Sequence, residues 1–151
     1  MVKPNKVDSK SLEINIGFEK SAPYVFDCIR QVSKWWSTDF EGRSAEVNDE
    51  FVIHHPGAHY SKQKVVEIVP GKKIVWLVTK STLHWLQGDK HEWTNTRMIF
   101  DITAEEGKTK LRITHEGLTP EKECYERCSE GWNMVIKQRL IDFIVNGKTV
   151  Q

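Results

Sequence analysis

The chain has 151 residues, 38% hydrophobic and 28% charged, a makeup that fits one globular domain with a sizeable core and excludes extensive disorder. Its 22 Lys and Arg against 21 Asp and Glu leave a net charge of +1, with the two signs interspersed. No basic stripe offers a phosphate backbone a continuous footing, which argues against a nucleic-acid partner.

No apolar run approaches the roughly 18 residues of a membrane span. Met1–Lys10 is polar and lacks the apolar core of a signal peptide, so a cytoplasmic location is expected. Three cysteines, an odd number, fit a reducing compartment better than a disulfide framework. Cys124 and Cys128, four apart on a helical pattern, read as small packing residues rather than a redox pair. Residues 1–10 form a polar tail and residues 11–151 a single domain on this reading.

Leu12–Phe18 alternates with period two, the pattern of a half-buried strand. Ser21 then supplies an N-cap with Pro23 in the first turn, and Val25, Phe26 and Ile29 share a helical face. A second short helical piece carries Val32, Trp35 and Trp36. From Glu50 the pattern is strand-like again: Phe51, Ile53 and His55 share one face, and Pro56-Gly57 turns the chain. Residues 64–69 form the next strand, with Pro70-Gly71 as its turn. Residues 74–79 are apolar on both faces, as in a central strand. Residues 80–92 read as a long polar loop. Residues 94–102 and 109–117 complete the meander, the first with Met98, Phe100 and Ile102 on one side, the second with Leu111, Ile113 and His115.

A long helix is expected from Thr119-Pro120, with Glu121 and Glu123 in its first turn, to Asn146-Gly147. Unbroken, it would span about 40 Å. At 100° per residue Tyr125, Trp132, Ile136 and Phe143 share a face, with Met134, Ile141 and Val145 nearly opposite; such a helix should be covered on two sides. The whole reads as α+β, a strongly curved antiparallel sheet packed on a long C-terminal helix, with two short helices after the first strand. Six tryptophans and six histidines would line any cavity between sheet and helix with aromatic groups.

The opening strand with Ser21–Phe26, the Lys34–Trp36 step, Val65–Trp76, Thr109–Leu118 and Gly131-Trp132 follow one another as in a known group. Over residues 10–147 the chain resembles the START-like (Bet v 1-like, SRPBCC) superfamily, in the branch similar to the C-terminal domain of the activator of Hsp90 ATPase. The resemblance implies a helix-grip fold with a hydrophobic cavity between sheet and helix. One departure is Asn48, where the family often has glycine before the second-strand glutamate.

His115 should point at the helix, where a neutral imidazole could meet a ligand, carry a proton, or be satisfied by a partner in the core. Arg139 lies about 40° from the centre of the apolar helix face on that ideal wheel; it must pair, snorkel or meet an anion. Together the two would suit an amphipathic ligand with an acidic end. Trp36, Trp76 and Trp132 face inward as core or as pocket wall, whereas Trp93 and Arg97 fall on the outer face opposite Met98. His54, His55 and His59 form a histidine-rich turn rather than a metal site, since adjacent strand residues point apart. No cofactor motif and no nucleophile is evident.

The reading favoured by these features is a binding protein for a hydrophobic or aromatic small molecule. Its cavity would be lined by Trp36, Phe51, Ile53, His55, Trp76, Met98, His115, Trp132, Val135 and Arg139. One alternative is a cyclase- or hydrolase-type enzyme with His115 as its acid or base. Another is a module contacting an Hsp90-type chaperone. A homodimer is compatible with all three.

Overall fold

The computed structural model describes residues 10–150. The polar tail, Lys10 apart, lies outside the described residues. Among those residues one antiparallel sheet takes seven strands in the order β1-β7-β6-β5-β4-β3-β2. They are β1 (Leu12–Phe18), β2 (Phe40–Gly42), β3 (Glu50–His55), β4 (His59–Val69), β5 (Lys73–Leu83), β6 (Arg97–Glu105) and β7 (Lys108–Glu116). Period-two alternation produces this sheet directly, because one face of each strand is buried and a slip of one residue would invert it. Thus Leu111, Ile113 and His115 of β7 are buried while Lys110, Arg112 and Glu116 are exposed. β5 is the central strand, and Ile74, Val75, Trp76 and Val78 are all buried there.

Register places Trp76 opposite Met98, and Met98 opposite His115, in one row across β5, β6 and β7. Irregular β4–β5 pairing at Lys62/Gln63 and at Val65/Glu67 marks two bulges, with Thr79 the extra residue on β5 and Val66 on β4. Bulges bend a strand and increase its twist, which curves the sheet toward the helix. Before β3, Asn48 has φ 78°, a left-handed conformation that glycine adopts freely and that asparagine tolerates better than most residues. The departure from the family pattern therefore keeps the turn.

Two short helices follow β1: α1 (Ala22–Ile29), capped by Ser21 Oγ accepting from Tyr24 N, and α2 (Val32–Trp35). The C-terminal helix begins later than expected. Residues 119–124 form turns, and α3 runs from Tyr125 to Met134. A π-helical segment (Val135–Leu140) joins it to α4 (Ile141–Asn146), which stops at Gly147 with φ 71°. The π segment lengthens the repeat, so Cys128, Trp132, Ile136, Leu140 and Ile144, four apart throughout, are all buried. An ideal wheel misses this phase. Met134 and Val145, expected to be covered, are exposed.

The core joins α1, α2 and the C-terminal helix to the inner sheet face. Trp35, Trp36 and Trp76 stack on one another at 6.1–6.4 Å between centroids, and Trp76 meets Phe51 and Phe100 at 4.9 and 4.7 Å.

Candidate functional site

A cleft of ≈ 360 Å³ lies between the C-terminal helix, α2, the β3–β4 turn and the loop after β5. Its aromatic walls are Trp36 from the end of α2, Trp85 and Trp93 from the loop, and Trp132 from α3. Trp132 organises them. It stacks on Trp93 at 5.6 Å with the planes 7° apart and meets Trp36 at 4.9 Å. Leu83, Cys128, Met134 and Val135 add apolar surface, Gly131 leaves room, and His55, His59, Arg127 and Arg139 supply the polar groups.

The loop of residues 84–96 becomes a wall because it is tied to the start of α3 from both sides. Glu92 accepts from the Glu123 and Cys124 backbone N–H groups at 3.1 and 2.9 Å, capping the helix from far away in sequence. Glu123 in turn accepts from Gln87 N and Gly88 N, both at 2.9 Å, and these backbone bonds hold its carboxyl below the usual range. Trp93, expected on the outer face, is buried instead, with Nε1 donating to Cys128 Sγ at 3.3 Å. It sits before β6 begins, so strand alternation does not govern its direction. Arg97, the first residue of β6, is exposed as expected.

Of the residues singled out from sequence, the cleft brings together Trp36, His55, Trp132, Val135 and Arg139. It does not include Phe51, Ile53, Trp76, Met98 or His115, which are fully packed in the interior. The reason is that Trp36 and Trp132 close over the sheet and fill the space that those side chains face. Trp85, Trp93, His59, Leu83, Arg127, Cys128, Gly131 and Met134 were not singled out for the cavity. The aromatic richness of the chain was the only signal that pointed toward Trp85 and Trp93.

His115 is a core group. Trp132 Nε1, which can only donate, bonds His115 Nδ1 at 3.1 Å. The imidazole proton is therefore on Nε2, which donates to Thr96 Oγ1 at 2.8 Å, and Thr96 donates onward to the Trp93 carbonyl at 2.5 Å. Burial pushes the His115 pKa down to about 3. With both ring nitrogens engaged inside the core, His115 presents no free nitrogen to a ligand in the cleft.

His59 stands edge-on to Trp93 at 4.9 Å and shares a hydrogen bond with Ser61 Oγ at 2.8 Å. Burial, reinforced by His55, His54 and His84, lowers its pKa to about 3. Desolvation, then the nearby Arg139 charge, lowers that of His55. Both rings are neutral at pH 7. Gln63 also donates to Ser61, at 2.6 Å, while its Oε1 and the Trp76 Nε1 lack partners among the described residues. No group of three or more His, Cys, Asp or Glu that could hold a metal occurs among the described residues.

Arg139 Nη1 donates to the Trp36 carbonyl at 2.9 Å. Its half-buried guanidinium thus clamps α2 to the helix and stands at one end of the cleft. At another edge Arg127 lies 4.4 Å over the Trp85 ring in a cation–π contact. A separate depression on the outer sheet face, along β1, β6 and β7, is lined by charged side chains such as Asp101, Glu105, Lys110 and Arg112 and lacks this aromatic lining.

A curved antiparallel sheet gripping a terminal helix, with an aromatic cleft at their junction, defines a helix-grip protein of the START-like (Bet v 1-like, SRPBCC) class. Within that class, the chain belongs to the Activator of Hsp90 ATPase homolog 1-like protein family, whose sequence model matches residues 29–142. It is similar in structure to the Aha1 dimer from Colwellia psychrerythraea, with TM-score 0.71 and 21% identity over 91% of this chain and 98% of that one. It is similar also to an Hsp90 activator from Plasmodium falciparum, with TM-score 0.59 and 19% identity over 89% and 92%. A third likeness is to CalU16 from Micromonospora echinospora, with TM-score 0.63 and 14% identity over 89% and 74%. At these identities the likeness concerns the fold. No curated protein matches the sequence. Among the described residues no helix is long and apolar enough to cross a membrane.

Proposed function

We propose that this chain binds a hydrophobic or aromatic small molecule in the cleft between Trp36, Trp93 and Trp132. The observation that carries the reading is the ≈ 360 Å³ space itself, walled by aromatic rings with a few polar groups at its edges. That size and makeup match the usual small-molecule site. The free cysteines Cys28, Cys124 and Cys128 support a reducing, cytoplasmic setting.

Gly131 provides the test. It faces the cleft, and a Cβ built there meets nothing within 4 Å. Gly131→Leu should fill the cleft without disturbing the core, and removing a mid-helix glycine should add up to about 1 kcal/mol of stability. With the neutral probe N-phenyl-1-naphthylamine, the wild type should bind with quenching of tryptophan fluorescence. Gly131→Leu should lose at least about tenfold in affinity, roughly 1.4 kcal/mol, while melting no lower than the wild type. Unchanged probe affinity in this variant would contradict the reading.

Family membership and the similar structures support a second reading, contact with an Hsp90-type chaperone and association of two copies. Co-purification with an Hsp90 middle domain, and a dimer mass by native mass spectrometry, are its expected results. A strictly monomeric protein that does not bind the chaperone would reject it.

A further inference from the structure

Resting on the reading that the aromatic cleft takes a ligand, we infer that the ligand is an aromatic anion, a carboxylate or sulfonate, whose charged end meets Arg139. The cleft wall carries the guanidinium groups of Arg127 and Arg139 and has no Asp or Glu among its lining residues. Its two histidines, His55 and His59, are neutral at pH 7 and bring no compensating charge.

The two arginines are not equivalent. Arg127 is exposed and already lies over Trp85. Arg139 is half-buried, and its hydrogen bond goes to the neutral Trp36 carbonyl. Among the described residues no carboxylate lies within 4.0 Å of its guanidinium. Arg139 and His55 also border an adjoining polar depression that contains Asp39 and Asp142. Neither carboxylate reaches the Arg139 guanidinium within 4.0 Å: Asp39 lies 3.6 Å from His54, and Asp142 accepts from the Asn146 amide at 2.7 Å.

A positive charge in partly desolvated surroundings, held in place by a backbone carbonyl and short of an ionic partner, is complementary to an anion. Arg139 Nη1 is fixed on Trp36, which leaves the rest of the planar fork to bind two oxygens of a carboxylate or sulfonate. The body of the ligand would then lie against Trp36 and Trp132, which flank the same end of the cleft. A cation would meet two guanidinium groups and no counter-charge, so alkylammonium ligands should be discriminated against.

Two probes of one skeleton separate the charge from the body: N-phenyl-1-naphthylamine, and 1-anilinonaphthalene-8-sulfonate, which adds a sulfonate. Wild-type protein should bind the sulfonate about tenfold more tightly than the neutral probe, as expected for a charge-assisted contact. Arg139→Gln should bring the two affinities to within about threefold by weakening only the sulfonate. Arg139→Lys should restore part of the preference, and Arg127→Gln should keep most of it. Thermal melts of each variant establish that it is folded. Equal binding of both probes by the wild type, or a preference that survives Arg139→Gln, overturns the anion assignment and leaves the cleft reading standing. Binding of neither probe overturns both.

Discussion

Trp132→Ala is expected to lower the unfolding free energy by about 3–5 kcal/mol, the usual cost of removing a large buried aromatic ring. Trp132 is buried, stacked on Trp93 and packed on Trp36, so its loss opens a void that joins the cleft to the core. In a domain of this size each kcal/mol is worth about 2–4 °C, so the melting temperature should fall by about 10 °C. The same substitution removes a cleft wall, and binding of the neutral probe should drop with it. Trp132→Phe divides the two contributions. It keeps an aromatic surface but removes the indole N–H, leaving His115 Nδ1 without its donor at a cost of about 1–3 kcal/mol. Urea titrations of the three proteins check this order. A loss below about 1 kcal/mol for Trp132→Ala would mean that the ring is a surface cover and not a part of the core.

Alternation made β1, β3, β6 and β7 readable, because it is an imprint of burial on one face, whereas β2, the start of β4 and the end of β5 (residues 80–83, expected in a loop) were not read. The doubly apolar stretch at residues 74–79 identified the central strand for the same reason. The helix was readable as an element but not in its start or its phase. Thr119, Pro120 and the acidic first turn form a local start signal. The cap that operates, however, is Glu92, brought to Glu123 and Cys124 by tertiary structure. The π segment then shifts which residues face inward, and a fixed angle per residue carries no trace of it.

The cleft follows the same division. Trp36, Trp132, Val135 and Arg139 could be found because they lie on or beside helices whose inner faces are patterned. Trp85 and Trp93 lie in a loop held by the Glu92 and Glu123 ties, and no period describes a loop. His115 shows the converse. Alternation placed it on the inner face of β7, where it is, but inner face and cavity are different places once Trp36 and Trp132 fill the space between them. The geometry gives an acid–base role for His115 no footing, because both ring nitrogens are engaged within the core.

That same imidazole sets the pH dependence of stability. Burial holds the folded His115 pKa at about 3, against about 6.5 in an unfolded chain. Between these values the unfolded state binds a proton that the folded state does not, so stability increases with pH across the window. The contribution is complete above pH 6.5 and is lost as the pH falls toward 3, by about 2 kcal/mol at pH 5. His59, lowered to about 3, and His55, also lowered, act in the same direction. Glu123, whose pKa is depressed from the ordinary 4.5, contributes stability that is lost only as the pH falls below that ordinary value. Urea unfolding between pH 7.5 and 5 therefore isolates the histidines. His115→Gln tests the assignment, since its amide oxygen can accept from Trp132 and its amide nitrogen can donate to Thr96. The variant should be less stable than the wild type at pH 7.5 because the ring packing is lost, and its stability should fall less steeply toward pH 5. Parallel pH profiles for the two proteins would mean that His115 does not supply the acid sensitivity and that His59 or His55 does.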